Sequence, residues 1–243
     1  MRLVMFDIDG TLILTAGAGM RAFYRALQQT FALPAGALAI DPDGKTDPLI
    51  AREALARFGM EDRLQSPNRE ALFAAYIDAL EYEMEQARIG GSLRILPGVV
   101  ELLAALASRP EFALGLVTGN LESGARIKLG KAGLDRYFHY GGYGSDHENR
   151  TALTRTAIDR GTKYVAPAGV EKAFVVGDTP LDILHGRAAG ASVIAVASAK
   201  YTLSDLAPYE PDLLVPDLTA RNRILPFLEF GATQLPNSMG GLT

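Results

Sequence analysis

Short, mainly apolar runs at residues 2–6, 113–117, 172–176 and 193–196 constrain this chain more than any other feature, since each gives way to turn residues and then to helical periodicity. A strand with one wet face alternates apolar and polar residues. These runs do not, so both their faces are covered. Strands of that kind separated by helices predict the α/β class, with a doubly wound parallel sheet between two helical layers. Weaker strand candidates lie at 139–143 and 213–215.

One interval breaks the rhythm. From about residue 16 to residue 88 only helical periodicity is found, in Met20–Phe31, Pro48–Phe58 and Arg69–Arg88. An inserted α-helical domain over 16–88 is the economical reading, leaving 1–15 and 89–230 as the core domain. Its edges, Thr15–Gly19 and Gly90-Gly91-Ser92, are small enough to act as hinges. The alternative is one continuous fold with a helical excursion. The tail 231–243 mixes Gly, Pro, Asn and Ser with few apolar residues and is expected to be disordered.

Composition narrows the function classes. A formal net charge of −4 speaks against a nucleic-acid partner, because binding to a phosphate backbone rests on clustered Lys and Arg. With no cysteine, thiolate nucleophiles, disulfides and zinc–thiolate sites drop out. Asp7 and Asp9 interrupt the apolar opening Met1–Phe6 far short of the ~20 residues of a membrane span or the apolar core of a signal peptide. A cytoplasmic chain with no membrane partner is expected, as monomer or homodimer.

The chemistry gathers at strand ends, the edge where open parallel sheets bind ligands. The first strand ends in Asp7-Ile8-Asp9-Gly10-Thr11, two carboxylates followed by a sharp turn whose free N–H groups can face an anion. Another ends in Gly177-Asp178-Thr179-Pro180-Leu181-Asp182. Carboxylates converging from distant sequence repel one another without a cation, and an all-oxygen donor set selects a hard divalent ion, Mg²⁺. Asp182 also has a structural reading, with Thr179 as N-cap and Pro180 opening a helix. Thr118-Gly119-Asn120 closes a third strand, offering a hydroxyl and a small turn to an anion. By itself such a turn is common for conformational reasons.

In this order and spacing, the Asp7–Thr11 loop, Thr118 and the Gly177–Asp182 loop resemble the haloacid dehalogenase superfamily of phosphohydrolases, with the strand pattern extending the resemblance from residue 2 to about 215. The resemblance implies Asp7 as nucleophile, Asp9 as general acid and base, and Thr118 as the hydroxyl holding the transferring phosphoryl group. It also implies Asp178 as ligand of Mg²⁺, which is bound too by Asp7 and by the backbone carbonyl of Asp9, with Asp182 in direct or supporting contact. Residues 16–88 then match a mobile cap. The implied activity is hydrolysis of a small phosphorylated metabolite through an aspartyl-phosphate, and the nearest likeness is to the phosphoglycolate-phosphatase group. A phosphomutase sharing that intermediate, and a non-catalytic binder on the same fold, are the rival readings. Gly10, Thr11, Gly119 and Asn120 are the expected substrate contacts of the core, and Lys45 of the cap. Lys45 has a plain alternative as a solvated lysine.

One departure stands out. The family places a Lys, often before a Pro, ahead of its fourth strand, whereas Gly144–Arg150 has none. Arg150 is expected to fill its place, since a guanidinium fork can hold carboxylate and phosphate together. Lys128 is the rival, within a helix that could point it away, and Asp146 offers Arg150 a bland surface partner. His147 between Asp146 and Glu148 reads as a solvated loop rather than a metal cluster. Gly17-Ala18-Gly19 reads as hinge rather than a dinucleotide fingerprint.

Overall fold

In the computed structural model, residues 1–33 and 40–231 are described. The expected disordered tail lies outside the described residues from 232 onward. Six parallel strands form the main sheet: β1 (Arg2–Phe6), β4 (Phe112–Val117), β5 (Tyr140–Gly142), β6 (Lys172–Gly177), β7 (Ser192–Val196) and β8 (Leu213–Val215), ordered β5-β4-β1-β6-β7-β8. Both weaker candidates are strands. Leu3, Val4, Met5 and Phe6 are all 0% exposed, so β1 is covered on both faces as its apolar run requires.

Alternation within the strands splits the core into two clusters. Val4, Phe6, Leu114, Leu116, Phe174 and Val176 face α4 (Val99–Ala107), α5 (Glu122–Ala132) and α9 (Arg221–Phe230). Leu3, Met5, Val117, Val175 and Val193 face α6 (Arg150–Tyr164) and α7 (Pro180–Ala188). Full burial of each such side chain contributes ~1.5–3 kcal/mol, which makes this sandwich the main driving force of the fold.

The helical interval contains α1 (Ala18–Phe31), α2 (Asp47–Ala56) and α3 (Asn68–Ile89). They share a cluster of their own, with Phe23, Leu27, Phe31, Ile50, Leu55, Leu72, Tyr76 and Leu80, into which the core contributes only Leu121 among its buried members. Two elements escaped the sequence reading: β2 (Ile13–Leu14) and β3 (Arg94–Ile95) pair antiparallel, tying together the points where the chain leaves for the helices and returns. Two residues are too few to show periodicity. A four-residue helix, α8 (Leu203–Leu206), precedes β8. Among the described residues no helix is long and apolar enough to cross a membrane.

Crossovers diverge on either side of β1, which makes its carboxyl end a topological switch point and opens a crevice there. Register then sets the site. Phe6 is level with Leu116 on one side and Val176 on the other, so Asp7, Thr118 and Asp178 all leave the sheet at one edge.

Candidate active site

Asp7 follows β1 and is 5% exposed, its N–H bonded to the Val176 carbonyl at 2.9 Å. The chain then turns through Gly10 at φ 83°, with Leu12 and Ile13 N–H both on the Ile8 carbonyl. Glycine is required here twice over. The conformation is left-handed, and a Cβ would lie 2.3 Å from Asp178 Oδ2. The turn therefore presses against the second acidic loop. Thr11, expected on the substrate, instead donates from Oγ1 to Asp178 Oδ1 at 2.8 Å.

Carboxylate oxygens of Asp7, Asp178 and Asp182 lie within 4.8 Å of one another, all buried. Arg150, the first residue of α6 with Asn149 as its N-cap, is 5% exposed and donates from one nitrogen to Asp7 Oδ2 at 3.2 Å and to Asp182 Oδ1. It makes no pair with Asp146, which is held by Arg160 at 2.6 and 2.7 Å. Both oxygens of Asp182 are engaged, one by Arg150 and the other by the N–H and hydroxyl of Thr179 in a capping box. The helix-cap reading is met, and the carboxylate that the cap orients also holds Arg150.

Burial pushes Asp7 up to about 6, with Arg150 opposing and Asp182 and Asp9 adding to the rise. Asp178 is raised well above the usual carboxylate range, first by burial and then by Asp182 and Asp7. When ionised, three carboxylates against one guanidinium leave two uncompensated negative charges. That deficit, on oxygen donors alone, fits a divalent cation of the Mg²⁺ kind. The Asp9 carbonyl accepts no hydrogen bond in this turn among the described residues.

The Asp9 side chain turns the other way, toward α5. Lys128 Nζ lies 2.6 Å from Asp9 Oδ2 and 2.6 Å from Asn120 Oδ1, while Asn120 Nδ2 donates to Asp9 Oδ2 and Thr118 Oγ1, each at 2.8 Å. Lys128 thus points into the site. The signal was available in the sequence, since Gly124, Ala125, Lys128 and Leu129 are the buried positions of α5 and place the lysine on its inner face. Asn120, expected on the substrate, has its amide committed to Asp9. Thr118 is fully buried and accepts from Asn120, leaving its own hydroxyl proton undonated among the described residues.

The helical layer closes over these loops through the segment before α2. A Cβ on Gly119 would lie 2.0 Å from the Lys45 carbonyl, so this glycine serves the close approach of that segment. The Asp47 N–H donates to the Gly119 carbonyl at 2.8 Å, and Asp47 Oδ2 accepts from Leu121 N–H at 2.8 Å. Lys45 lines the cavity with its ammonium 2.6 Å from Glu53. His147 is exposed in its loop and caps Asn149 N–H through Nδ1 at 2.8 Å. Between the two layers lies a cavity of about 810 Å³, lined by Asp7, Asp9, Thr118, Lys128, Arg150 and Asp178 on the core side.

Residues 4–196 match the model of the family described as haloacid dehalogenase-like hydrolase. The chain is 32% identical over 223 residues to a phosphoglycolate phosphatase of Agrobacterium fabrum, covering 90% of this chain and 89% of that one. Its fold is that of a hydrolase from Pseudomonas syringae, with a TM-score of 0.69 at 21% identity over 92% of this chain and 97% of the other. A proposed β-phosphoglucomutase from Bacteroides vulgatus aligns with a TM-score of 0.65 at 19% identity, covering 96% and 91%.

Proposed function

Since this chain belongs to the haloacid dehalogenase-like hydrolase family, we propose that it is a Mg²⁺-dependent phosphatase that hydrolyses a small phosphorylated metabolite through a phosphoryl group carried on Asp7. The observation that carries the reading is the Asp7 carboxylate itself. It stands at the switch point of the sheet, faces the cavity, and is held by Arg150 within reach of Asp178.

In the first half-reaction a carboxylate oxygen of Asp7 attacks phosphorus and the ester bond to the alcohol breaks. The departing oxygen takes its proton from Asp9, which Lys128 and Asn120 hold in place. In the second, Asp9 takes a proton from water as that water attacks phosphorus, returning the Asp7 carboxylate and releasing inorganic phosphate. Thr118, with its hydroxyl proton free, donates to a phosphoryl oxygen, and Arg150 neutralises both Asp7 and the transferring group. Asp7, Asp178 and the Asp9 carbonyl would hold Mg²⁺, which when bound would neutralise charge on the phosphoryl oxygens. Asp182 keeps Arg150 aimed at Asp7. Residues 16–88 act as a cap that opens for exchange and excludes water when closed, with Thr15–Gly19 and Gly90-Gly91-Ser92, next to the β2–β3 pair, as its hinges.

The test is release of inorganic phosphate from 4-nitrophenyl phosphate. Activity is expected with Mg²⁺, lost in chelator, restored by Mg²⁺, and abolished in Asp7→Asn, an exchange that removes the nucleophile with almost no change of volume. Activity undiminished in chelator, or retained within tenfold in Asp7→Asn, removes the metal or the nucleophile respectively.

A further inference from the structure

The leaving alcohol must lie against Asp9, because Asp9 protonates it, and the cap residues there are a carboxylate and a phenol. Asp47 is buried, yet only Oδ2 is engaged, by Leu121 N–H; Oδ1 accepts nothing among the described residues, and the side chain lines the cavity. Tyr76, on α3, is 2% exposed, stands edge-on to Phe23 with centroids 5.0 Å apart, and lines the same cavity with a hydroxyl that makes no hydrogen bond among the described residues. Burial, then the charges of Asp47 and Asp9, keep that hydroxyl protonated well past the usual phenol range, so it is a donor.

Electrostatics in this corner oppose a further anion. Lys128 is paired with Asp9 and also acts on Asp47, which burial nevertheless raises to about 6. One ammonium shared by two carboxylates has no charge left for a third. The other cavity cations are committed too: Lys45 to Glu53, Lys200 to Asp41 and Asp43, and Arg150 to Asp7 and Asp182. Arg94 alone lines the cavity without an ionic partner among the described residues, and it is exposed on β3 at the hinge. Beside Asp47 and Tyr76 the lining includes the apolar side chains of Met20, Phe23 and Ile50. A volume of about 810 Å³ is in the range of pockets that hold drug-sized ligands, ~300–1,000 Å³, and a two-carbon alcohol would leave much of it unfilled.

We propose that Asp47 and Tyr76 are specificity-determining residues that select phosphate monoesters of uncharged, hydroxyl-bearing alcohols and reject esters with a carboxylate beside the phosphate, including the phosphoglycolate that the family resemblance suggests. A substrate hydroxyl donates to Asp47 Oδ1 and accepts from Tyr76, whereas a carboxylate meets a fixed like charge. The proposal rests on the phosphatase reading for the placement of the leaving group.

The matched pair 2-hydroxyethyl phosphate and 2-phosphoglycolate differs only in CH₂OH against COO⁻ and isolates the corner. With Mg²⁺ at pH 7.5, wild type should favour the hydroxyethyl ester in kcat/KM by about tenfold or more. Asp47→Asn should narrow that ratio by raising the phosphoglycolate arm, and Tyr76→Phe should lower the hydroxyethyl arm alone. Calorimetric binding of both esters to the Asp7→Asn chain reads the same preference without turnover, so a failure of the phosphatase reading leaves this test standing. Equal or reversed preference in both measurements, or binding of neither ester, overturns the proposal. Preference for phosphoglycolate that vanishes in Arg94→Ala also overturns it and moves recognition to the hinge.

Discussion

Truncation of Arg150 to alanine separates an active-site cation from a structural one. The guanidinium lies 3.2 Å from Asp7 Oδ2, a separation at which two unit charges attract by about 5 kcal/mol at an effective dielectric of ~20. It is also paired with Asp182 and acts on Asp178, so its removal leaves three buried carboxylates with no internal counter-charge. Breaking a buried pair in this way costs ~3–5 kcal/mol, which corresponds to roughly 10²–10⁴-fold in kcat/KM if the charge acts on the reacting group. The pH profile carries a second signature. Asp7 is already raised to about 6 with Arg150 pulling it down, so loss of Arg150 raises it further. The acid limb of kcat/KM should therefore move to higher pH, with part of the activity recovered as pH rises. Arg150→Lys should restore a fraction of the loss, because a point charge can neutralise Asp7 even though the planar guanidinium geometry is lost. Phosphate release from 4-nitrophenyl phosphate between pH 5 and 9, at saturating Mg²⁺, gives both readouts. Arg150→Ala within threefold of wild type and with an unmoved acid limb would refute the assignment.

Lys128→Ala should lower kcat by roughly tenfold or more with little change in KM, since it releases Asp9 rather than the phosphoryl group; equal loss in both parameters would count against that role. Asp7 and Asp47 both rise from 3.8 to about 6, so across that window the folded chain keeps protons the unfolded chain has lost, and metal-free stability should fall as pH rises from about 4 to 7, by about 3 kcal/mol for each group. Mg²⁺ should therefore raise Tm more at pH 8 than at pH 5, and an equal rise at both would contradict the linkage. Gly119→Ala places a Cβ against the Lys45 carbonyl and should raise KM by lifting the closing segment, while the melting transition of the core stays in place; an unchanged KM would exclude closure at that contact.

The sheet was legible because burial on both faces leaves a mark that survives without neighbours, a continuous apolar run with punctuation at its end. Asp7 and Asp178 could be brought together from that alone, since parallel strands deliver their carboxyl ends to one edge. What escaped depends on directions that a linear pattern does not carry. Thr11 and Asn120 read as anion contacts, yet each turns inward to hold a carboxylate, Asp178 and Asp9 respectively. Lys128 comes into the site by its place on the buried face of α5, eight residues beyond the loop it serves. Asp47 opens α2 after the polar segment Gly44–Thr46, and the approach of the helical layer to Gly119 and Leu121 buries it. The β2–β3 pair joins residues 13–14 to 94–95 across the whole helical insertion, a contact set by tertiary closure rather than by local periodicity.

Trapping of the covalent intermediate tests the account most directly. Enzyme mixed with Mg²⁺ and excess 4-nitrophenyl phosphate, quenched in acid during turnover and digested, should yield one phosphorylated peptide, the N-terminal one containing Asp7, with the modification lost on treatment with hydroxylamine as an acyl phosphate requires. The Asp7→Asn chain should carry none. Turnover with no phosphorylated peptide, or with the phosphoryl group on a residue other than Asp7, would contradict the mechanism.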